Sequence, residues 1–370
     1  MAKQSQTPKR HELEPFNRRQ KKLSGTSLML TDLEHRFVYK VIPDYNTSEA
    51  AFYCLVNSRA VSGGSKSYER LRETIRQPDG LAKLNVLPNF DGVVNVIQGD
   101  HVTSENIDAE SSPNDVNYYD LGETTDFSNV MFNAIKLENL LHGYQRPAII
   151  DIKLGIHNAL DNTKNSGLDT EERIACVKLW QNLKMAHKLE NSGTKRLYNI
   201  TAEDLGLGEP FTRMDPAELH SLLKSWRQQI VASQTTEDEL GFRICSISID
   251  SEDGSLEISA SHAKMLKRDD TLSILHNALV NIADVRKCML ATLKGVRNWV
   301  ALQDMLSFSA TSLLITYDQD NPHLCKVKWV DFTHVESVKH SPYSVLPGPS
   351  NMIKGIDQLI SICENAATCV

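Results

Sequence analysis

The chain has 370 residues, 41% hydrophobic and 6% aromatic, enough for a real core in two or three domains. Its net charge of −7 argues against a general nucleic-acid binder, though a local basic pocket could still hold a polyanion. No stretch reaches the roughly 18 apolar residues of a membrane span, the polar start Met-Ala-Lys-Gln-Ser-Gln does not resemble a signal peptide, and the seven cysteines, odd in number and without a C-x-x-C pair, suggest neither a zinc site nor a disulfide framework.

Buried thiols of that kind point to a reducing compartment, so nucleus or cytoplasm is expected. Residues 1–25 are polar and basic, with Lys9-Arg10 and Arg18-Arg19-Gln20-Lys21-Lys22. They read either as a disordered tail or as a two-part nuclear import signal. Residues 26–137 form the expected N-terminal lobe. Phe37 to Ile42 is a predicted strand with Lys40 at its centre, ended by Pro43. A helix follows, with Ser48 as N-cap and Ala50, Phe52, Tyr53 and Val56 inside. Glu49 is a first-turn acid that suits the helix dipole. Ser62-Gly63-Gly64-Ser65-Lys66 is too short for a phosphate loop and reads as a surface turn. From about 100 to 126 the chain is acidic, with no lysine or arginine. Such a segment buries too little apolar surface to offset its ordering entropy, so a mobile loop is expected.

Residues 138–370 form the expected larger lobe. Its most informative segment is Pro147-Ala148-Ile149-Ile150-Asp151-Ile152-Lys153-Leu154-Gly155. On a strand, alternation places Asp151 and Lys153 on one face. A carboxylate beside an ammonium can bind a hydroxylated, phosphate-bearing ligand and stabilise charge during transfer. The same pair also suits an ordinary sheet edge.

Residues 157–239 are expected to be helical. Asp169-Thr170-Glu171-Glu172 is a capping box, followed by Ile174, Val177, Trp180 and Leu183 at helical spacing. Asp215-Pro216-Ala217-Glu218 starts a second helix, with Leu219, Leu222, Trp226 and Ile230 on one face. The stretch 188–214 is polar and reads as an insertion loop, and the tryptophans read as core. Lys178, Lys184, Lys188 and Lys195 either line a phosphate pocket or sit on solvated faces. Leu240 to Cys245 is a strand. Ser312 to Asp318 and Lys326 to His334 form a hairpin around Asn321-Pro322. The hairpin runs out in Asp331-Phe332-Thr333-His334. An aspartate where a strand gives way to a loop suits magnesium, which takes one or two carboxylates plus phosphate oxygens and water. A last helix carries Ile353, Gly355, Ile356, Leu359 and Ile360 for packing.

Taken together, these segments resemble the inositol polyphosphate kinase family. P-x-x-x-D-x-K-x-G at 147–155, L-E-N-L-L-x-G-Y at 137–144, L-G-F-R-I at 240–244, S-L-L at 312–314, D-F-x-H at 331–334 and the closing G-x-x-x-L-I helix are collinear. The likeness is nearest to the fungal-type multikinases. It implies an α+β, two-lobed kinase-like fold. An antiparallel N-lobe sheet would sit over a larger C-lobe, with ATP in the cleft and the helical insertion, about 157–239, as the substrate-binding rim.

The resemblance further implies an enzyme, an inositol phosphate kinase using ATP and Mg2+. It would take inositol 1,4,5-trisphosphate and tetrakisphosphate towards the pentakisphosphate. In that scheme Lys153 lies between the γ-phosphate and the acceptor hydroxyl. Asp151 orients the ribose or the acceptor, and Asp331 holds magnesium with support from Ser312. Glu138 and Asn139 offer backbone contacts to adenine. Lys40 reaches the nucleotide phosphates and pairs with Glu49 of the family's E-x-x-F-Y run. Lys264, Arg268 and His334 contact the inositol phosphate. Two departures stand out: the family's K-x-Y-G-R is Lys264-Met265-Leu266-Lys267-Arg268 here, and no G-H element is evident near Gly25. They keep two alternatives open, a hexakisphosphate kinase making pyrophosphates and a weakly catalytic scaffold. The lack of H-R-D, D-F-G and G-x-G-x-x-G argues against a protein kinase. The acidic loop and the basic tail are where a protein partner would dock.

Overall fold

A computed structural model describes residues 11–16, 29–42, 48–57, 66–77, 80–98, 102–106, 131–155, 167–190, 200–250, 255–308, 310–333, 335–337 and 350–365. The N-terminal lobe is built on β1 (His11–Pro15), β2 (Met29–Asp32), β3 (Phe37–Val41), β4 (Phe90–Gln98), β5 (Val102–Asn106) and β6 (Met131–Glu138). All pairings are antiparallel, and the strands close into a barrel in the order β1-β2-β3-β6-β4-β5. Leu13, Leu30, Tyr39, Val41, Val94, Val96 and Ala134 pack together as its core.

Closure corrects two expectations. Residues 11–15 are not tail but β1, and residues 102–106 are not mobile loop but β5. These two strands pair with each other, Leu13 opposite Val102, and so close the barrel. Closure satisfies backbone groups that an open edge would leave unpaired, whatever the side-chain charge. The basic clusters at 9–10 and 18–22 and the acidic residues from 107 to 126 lie outside the described residues. Helices α1 (Ser48–Asn57) and α2 (Lys66–Arg76) connect β3 to β4.

The larger lobe is built on β7 (Pro147–Leu154), β8 (Phe242–Ile249), β9 (Leu256–Ile258), β10 (Leu306–Phe308), β11 (Ser312–Asp318), β12 (Cys325–Val330) and β13 (Val335–Ser337). Five of these form one antiparallel sheet in the order β12-β11-β7-β8-β9, and β10 pairs separately with β13. The expected hairpin is therefore present, as β11 and β12.

Residues opposite each other in an antiparallel pair share a face. One face of the sheet carries Ile150, Ile152, Leu154, Phe242, Ile244, Leu313, Ile315, Val327 and Trp329, all buried in the main core. The other face carries Asp151, Lys153, Arg243, Ser246, Ser312, Thr316 and Lys328. A core sheet with one apolar and one polar face has its polar side reserved for something other than packing. A register shift between Asp151 and Ile152 on the β7–β8 pairing brings Arg243 opposite Lys153 while keeping Ile244 on the core side.

The helical insertion is α3 (Thr170–Glu190), α4 (Pro216–Gln234) and α5 (Thr236–Leu240). Both predicted caps form. The Glu172 N–H donates to Asp169 at 2.9 Å and the Asp169 N–H to Glu172 at 2.8 Å. The same reciprocal pair joins Asp215 and Glu218. The insertion has a core of its own, in which Val177, Trp180, Leu219, Leu222 and Trp226 are buried. The segment 200–214, expected to be loop, contributes to that core with Ile200, Leu205, Leu207 and Phe211, held in two short 3-10 turns. Its apolar residues are spaced for turns, not for a helix or strand, and this hid them in the sequence.

The remaining helices are α6 (Ala260–Ala263), α7 (Arg268–Leu275), α8 (Ala283–Leu302) and α9 (Ser350–Asn365), with a π-helical turn at 276–280. The closing helix α9 crosses the start of β8 at a glycine–glycine contact. A Cβ on Gly355 would sit 2.1 Å from the Gly241 carbonyl oxygen, and Gly241 itself adopts φ +75°. The glycines of both motifs are there because two backbones touch. The chain is thus an α+β, two-lobed fold, with the polar face of the five-stranded sheet and the barrel strand β3 contributing to one site.

Candidate functional site

The site begins with Lys40 on β3. Its ammonium lies 2.9 Å from both carboxylate oxygens of Glu49 on α1 and 2.6 Å from Oδ1 of Asp331, just after β12. One lysine from the small lobe thereby joins two carboxylates, one from each lobe. Glu49 is buried, and burial pushes its carboxyl up, against the pull of Lys40 and a hydrogen bond from the Phe332 N–H. Burial works against the charge of Lys40 as well, but Asp331 and Glu49 outweigh it and its pKa stands above the usual lysine value. Burial also opposes the charge of Asp331, yet Lys40 and then Lys153 hold its carboxyl below the usual range. The sequence-based pairing of Lys40 with Glu49 is therefore present.

Asp331 sits in the left-handed region, at φ 65°. For a residue other than glycine this costs energy, and aspartate is among the few that tolerate it. Phe332 holds the turn in place. It is fully buried, with its ring 4.3 Å from Phe52, 4.9 Å from Trp329 and 5.5 Å from Tyr53. The aromatic residue fixes the backbone, and the turn leaves the Asp331 side chain 44% exposed towards the cleft.

The sheet register supplies the rest. Arg243, Lys153, Ser312 and Val330 lie in one row across β8, β7, β11 and β12, and Asp331 follows Val330 at the row's end. Ser246, Asp151, Leu314 and Lys328 form the next row. Asp151 and Lys153 share a face, as alternation requires, with Asp151 buried and Lys153 half-buried. Lys153 is thus placed between Asp331 and a group of basic residues.

That group includes Lys184 of α3, Lys224 and Arg227 of α4, Arg243 and Lys264. Burial pulls the Lys224 ammonium down to about 8, and Lys153, Lys184 and Arg227 add to the effect. Burial followed by Arg227, Arg243 and Lys153 lowers Lys264. Beneath them His220 is held down to about 4, first by burial and then by Lys184 and Lys224. Arg243 is paired with Glu237 at 2.9 Å. Converging cations that lower one another's pKa form a standing demand for anionic charge.

Of the residues named from the sequence, Asp331, Ser312, Lys153, Asp151, Lys40 and Lys264 come together here. Arg268 instead pairs with Glu239 at 2.9 Å, and half of its side chain is exposed. His334 lies outside the described residues. Lys178 is exposed, and Lys195 and the side chain of Lys188 lie outside the described residues. Lys224 and Arg227 escaped sequence reasoning. Their signal was position: they flank the buried Trp226 on the same helix as Leu219, Leu222 and Ile230.

The connector after β6 needs a correction in detail. The Glu138 N–H donates to the Asn89 carbonyl at 2.9 Å, and the Asn139 N–H donates to the Arg36 carbonyl at 2.8 Å. Those two donors are engaged inside the protein. The Asn139 side chain likewise bonds the His35 carbonyl and receives the Leu141 N–H. Glu138 accepts the Asn89 N–H and lies 3.7 Å from each of Lys326 and Lys328. Both side chains position the connector.

The donor set also bears on a metal. Among the described residues no group of three His, Cys, Asp or Glu side chains forms a protein-only metal cage. Asp331, with the Ser312 hydroxyl in the neighbouring row, is the type of site in which magnesium takes one carboxylate and completes its shell with phosphate oxygens and water. The residues present fit such an ion.

Comparison with known families matches residues 134–364 to Inositol polyphosphate kinase, more than half of the chain. A solved structure of the S. cerevisiae inositol phosphate multikinase Ipk2 in complex with ADP and Mn2+ is similar at TM-score 0.46 and 16% identity, over 89% of this chain and 98% of that one. A second, from structural and engineering studies of an inositol phosphate multikinase, is similar at TM-score 0.38 and 16% identity, over 62% of this chain and 84% of that one. No curated protein matches. With its D-x-K strand, its Asp331-Phe332 turn and the family match spanning both, the chain belongs to the inositol polyphosphate kinase family.

Proposed function

We propose that this kinase transfers the γ-phosphate of ATP to inositol 1,4,5-trisphosphate and then to the tetrakisphosphate, towards the pentakisphosphate. The observation that carries the reading is the position of Lys153. It stands between Asp331 on one side and Lys184, Lys224, Arg227 and Lys264 on the other. A transferring phosphoryl group spreads negative charge over its oxygens, and catalysis of such transfer is mostly positioning plus electrostatics. A lysine between a nucleotide end and a polyanion end damps that charge.

Asp331 and Ser312 would hold the magnesium ion, which when bound neutralises phosphate charge and orients the phosphate oxygens. The S. cerevisiae relative, solved with ADP and Mn2+, supports a nucleotide and a divalent ion. Lys40 bonds the nucleotide phosphates and is held in reach of them by Glu49. Asp151, buried beside Lys153 on the cleft face, orients the ribose or the acceptor hydroxyl. Lys264 and the α3–α4 cations bind the inositol phosphates, with His334 beside the ring. Arg268, paired with Glu239, reaches substrate only after leaving that partner. We further propose that the protein works in the nucleus or cytoplasm.

The test is a magnesium–ATP assay against a panel of inositol phosphates with the products resolved. Successive phosphorylation of the trisphosphate to the tetrakis- and pentakisphosphates supports the proposal. Turnover of the hexakisphosphate alone would replace it with a pyrophosphate-forming kinase. ATP binding without turnover of any member would replace it with a scaffold.

A further inference from the structure

Away from the cleft, two cysteines of facing elements meet at the open edge of the five-stranded sheet. Cys288 lies on α8 and Cys325 opens β12, and both are only half-buried. As the outermost strand, β12 has backbone groups that point away from β11. Helix α8 covers those at the start of the strand, and the Val86 carbonyl takes the Trp329 N–H further along. The Thr292 hydroxyl donates to the Val327 carbonyl at 3.3 Å, and Cys288 lies one turn earlier on the same helix. The Cys288 Sγ also lies 3.9 Å from the Cys325 carbonyl, and the Cys325 Sγ lies 3.7 Å from the carbonyl of Asp284, one turn before Cys288. Each thiol thus donates to a backbone carbonyl of the facing element, which sets the two side chains close together across the α8–β12 contact.

This arrangement is asymmetric. The Cys325 thiol, the Val327 N–H and the Lys328 charge all favour the thiolate form of Cys288, and each is a potential donor to it. Those donors, the Cys325 thiol first, bring Cys288 down to about 7, against its burial. Cys325 is pushed far upward by the same contact and by burial. A thiolate near neutral pH, half-exposed and beside a second thiol, is the arrangement that peroxides oxidise selectively. The other described cysteines lack it, since Cys54, Cys176, Cys245 and Cys363 are all raised by burial.

We propose that Cys288 and Cys325 form a dithiol modification site that a hydroperoxide converts to a disulfide, with Cys288 as the attacking sulfur and Cys325 as the resolving one. The Cys288 thiolate attacks the outer peroxide oxygen. An S–O bond forms, the O–O bond breaks, and the alkoxide or hydroxide leaves and takes up a proton. Cys288 is oxidised by two electrons to a sulfenic acid and the peroxide is reduced to an alcohol or water. The Cys325 sulfur then attacks the Cys288 sulfur. The S–S bond forms, the S–O bond breaks, and the departing hydroxide leaves as water with the Cys325 proton. The bridge joins α8 to β12, which already pack together, so the fold persists.

The test treats the full chain with a small excess of hydrogen peroxide at neutral pH and reads free thiols and digested peptides by mass spectrometry. The expected result is a loss of two of the seven thiols, a 288–325 cross-linked peptide, and reversal by dithiothreitol. Cys325→Ser should stop at a sulfenic acid on residue 288, trapped by dimedone. Cys288→Ser should lose both cross-link and adduct, with at least a tenfold slower peroxide reaction. Oxidation centred on other cysteines, or a dimedone adduct on Cys325 in wild type or Cys288→Ser, would overturn the proposal. So would a Cys325→Ser protein that folds by circular dichroism and yields no adduct on Cys288.

Discussion

Lys40→Met tests the charge cluster that joins the two lobes. Methionine keeps most of the stem's packing and removes the charge, leaving Glu49 buried beside Asp331. At 2.9 Å and an effective dielectric of about 20, each Lys40–carboxylate contact corresponds to about 6 kcal/mol of gross attraction, most of it offset by desolvation. Removing one partner of a buried pair costs about 3–5 kcal/mol. Asp331 is 44% exposed, so solvent screens its share and the loss falls largely on Glu49. The expected cost is about 2–4 kcal/mol at pH 8. In the variant the folded pKa of Glu49 stands further above its unfolded value of about 4.3. A carboxyl raised in this way is neutral in both states below the unfolded value. Its penalty accrues as pH rises through the window between the two values and is complete above the folded one. Urea unfolding of both proteins at pH 8 and pH 4.5 should therefore show a large gap at pH 8 and a much smaller one at pH 4.5. Adding Glu49→Gln should recover part of the loss at pH 8. An equal loss at both pH values, or no loss, would refute the reasoning.

Three further outcomes follow from the geometry. Gly355→Ala places a Cβ 2.1 Å from the Gly241 carbonyl oxygen, so α9 must move, at about 3 kcal/mol or more. Gly206→Ala has a left-handed φ of +67° but open space around it, and should cost only about 1 kcal/mol. Thermal melts of the two variants set the cost of backbone contact at the α9 crossing against that of a left-handed conformation in open space. The Lys224 ammonium, pulled down to about 8, is charged below that pH and neutral above it. Inositol polyphosphate affinity should therefore fall as pH rises through 8. Calorimetry at pH 8 should show proton uptake on binding, reduced in Lys224→Met, because the polyanion restores the charge. Asp331→Ala should lose magnesium-dependent turnover, and turnover that persists would remove Asp331 from the metal.

Much of the larger lobe was legible because its signals are local. Alternation from Pro147 to Gly155 fixed which face Asp151 and Lys153 share, and the caps at Asp169 and Asp215 marked two helix starts that formed as expected. The aspartate after β12 could be named from sequence. Its left-handed backbone could not, because Phe332 imposes that conformation through rings contributed by α1 and β12. The barrel's closing strands were hidden for a different reason. His11–Pro15 and Val102–Asn106 have little strand pattern of their own and exist because each completes the other's hydrogen bonding. The basic end of the site was half legible. Lys153, Lys184 and Lys264 were named, whereas Lys224 and Arg227 became visible only once α4 packed against α3 and brought Lys224 towards Lys153. The two cysteines lie 37 positions apart in the chain, and only the packing of α8 against the edge of β12 brings them together.

The central claim is that Lys153 bridges the nucleotide end and the polyanion end of one cleft. Its most direct test is single-turnover transfer from radiolabelled ATP to inositol 1,4,5-trisphosphate by wild type and Lys153→Ala, with melting temperature and ADP affinity measured on both. The account predicts a variant that folds and binds ADP like wild type but transfers phosphate at least a thousandfold more slowly. Transfer near the wild-type rate by a folded Lys153→Ala protein would contradict it.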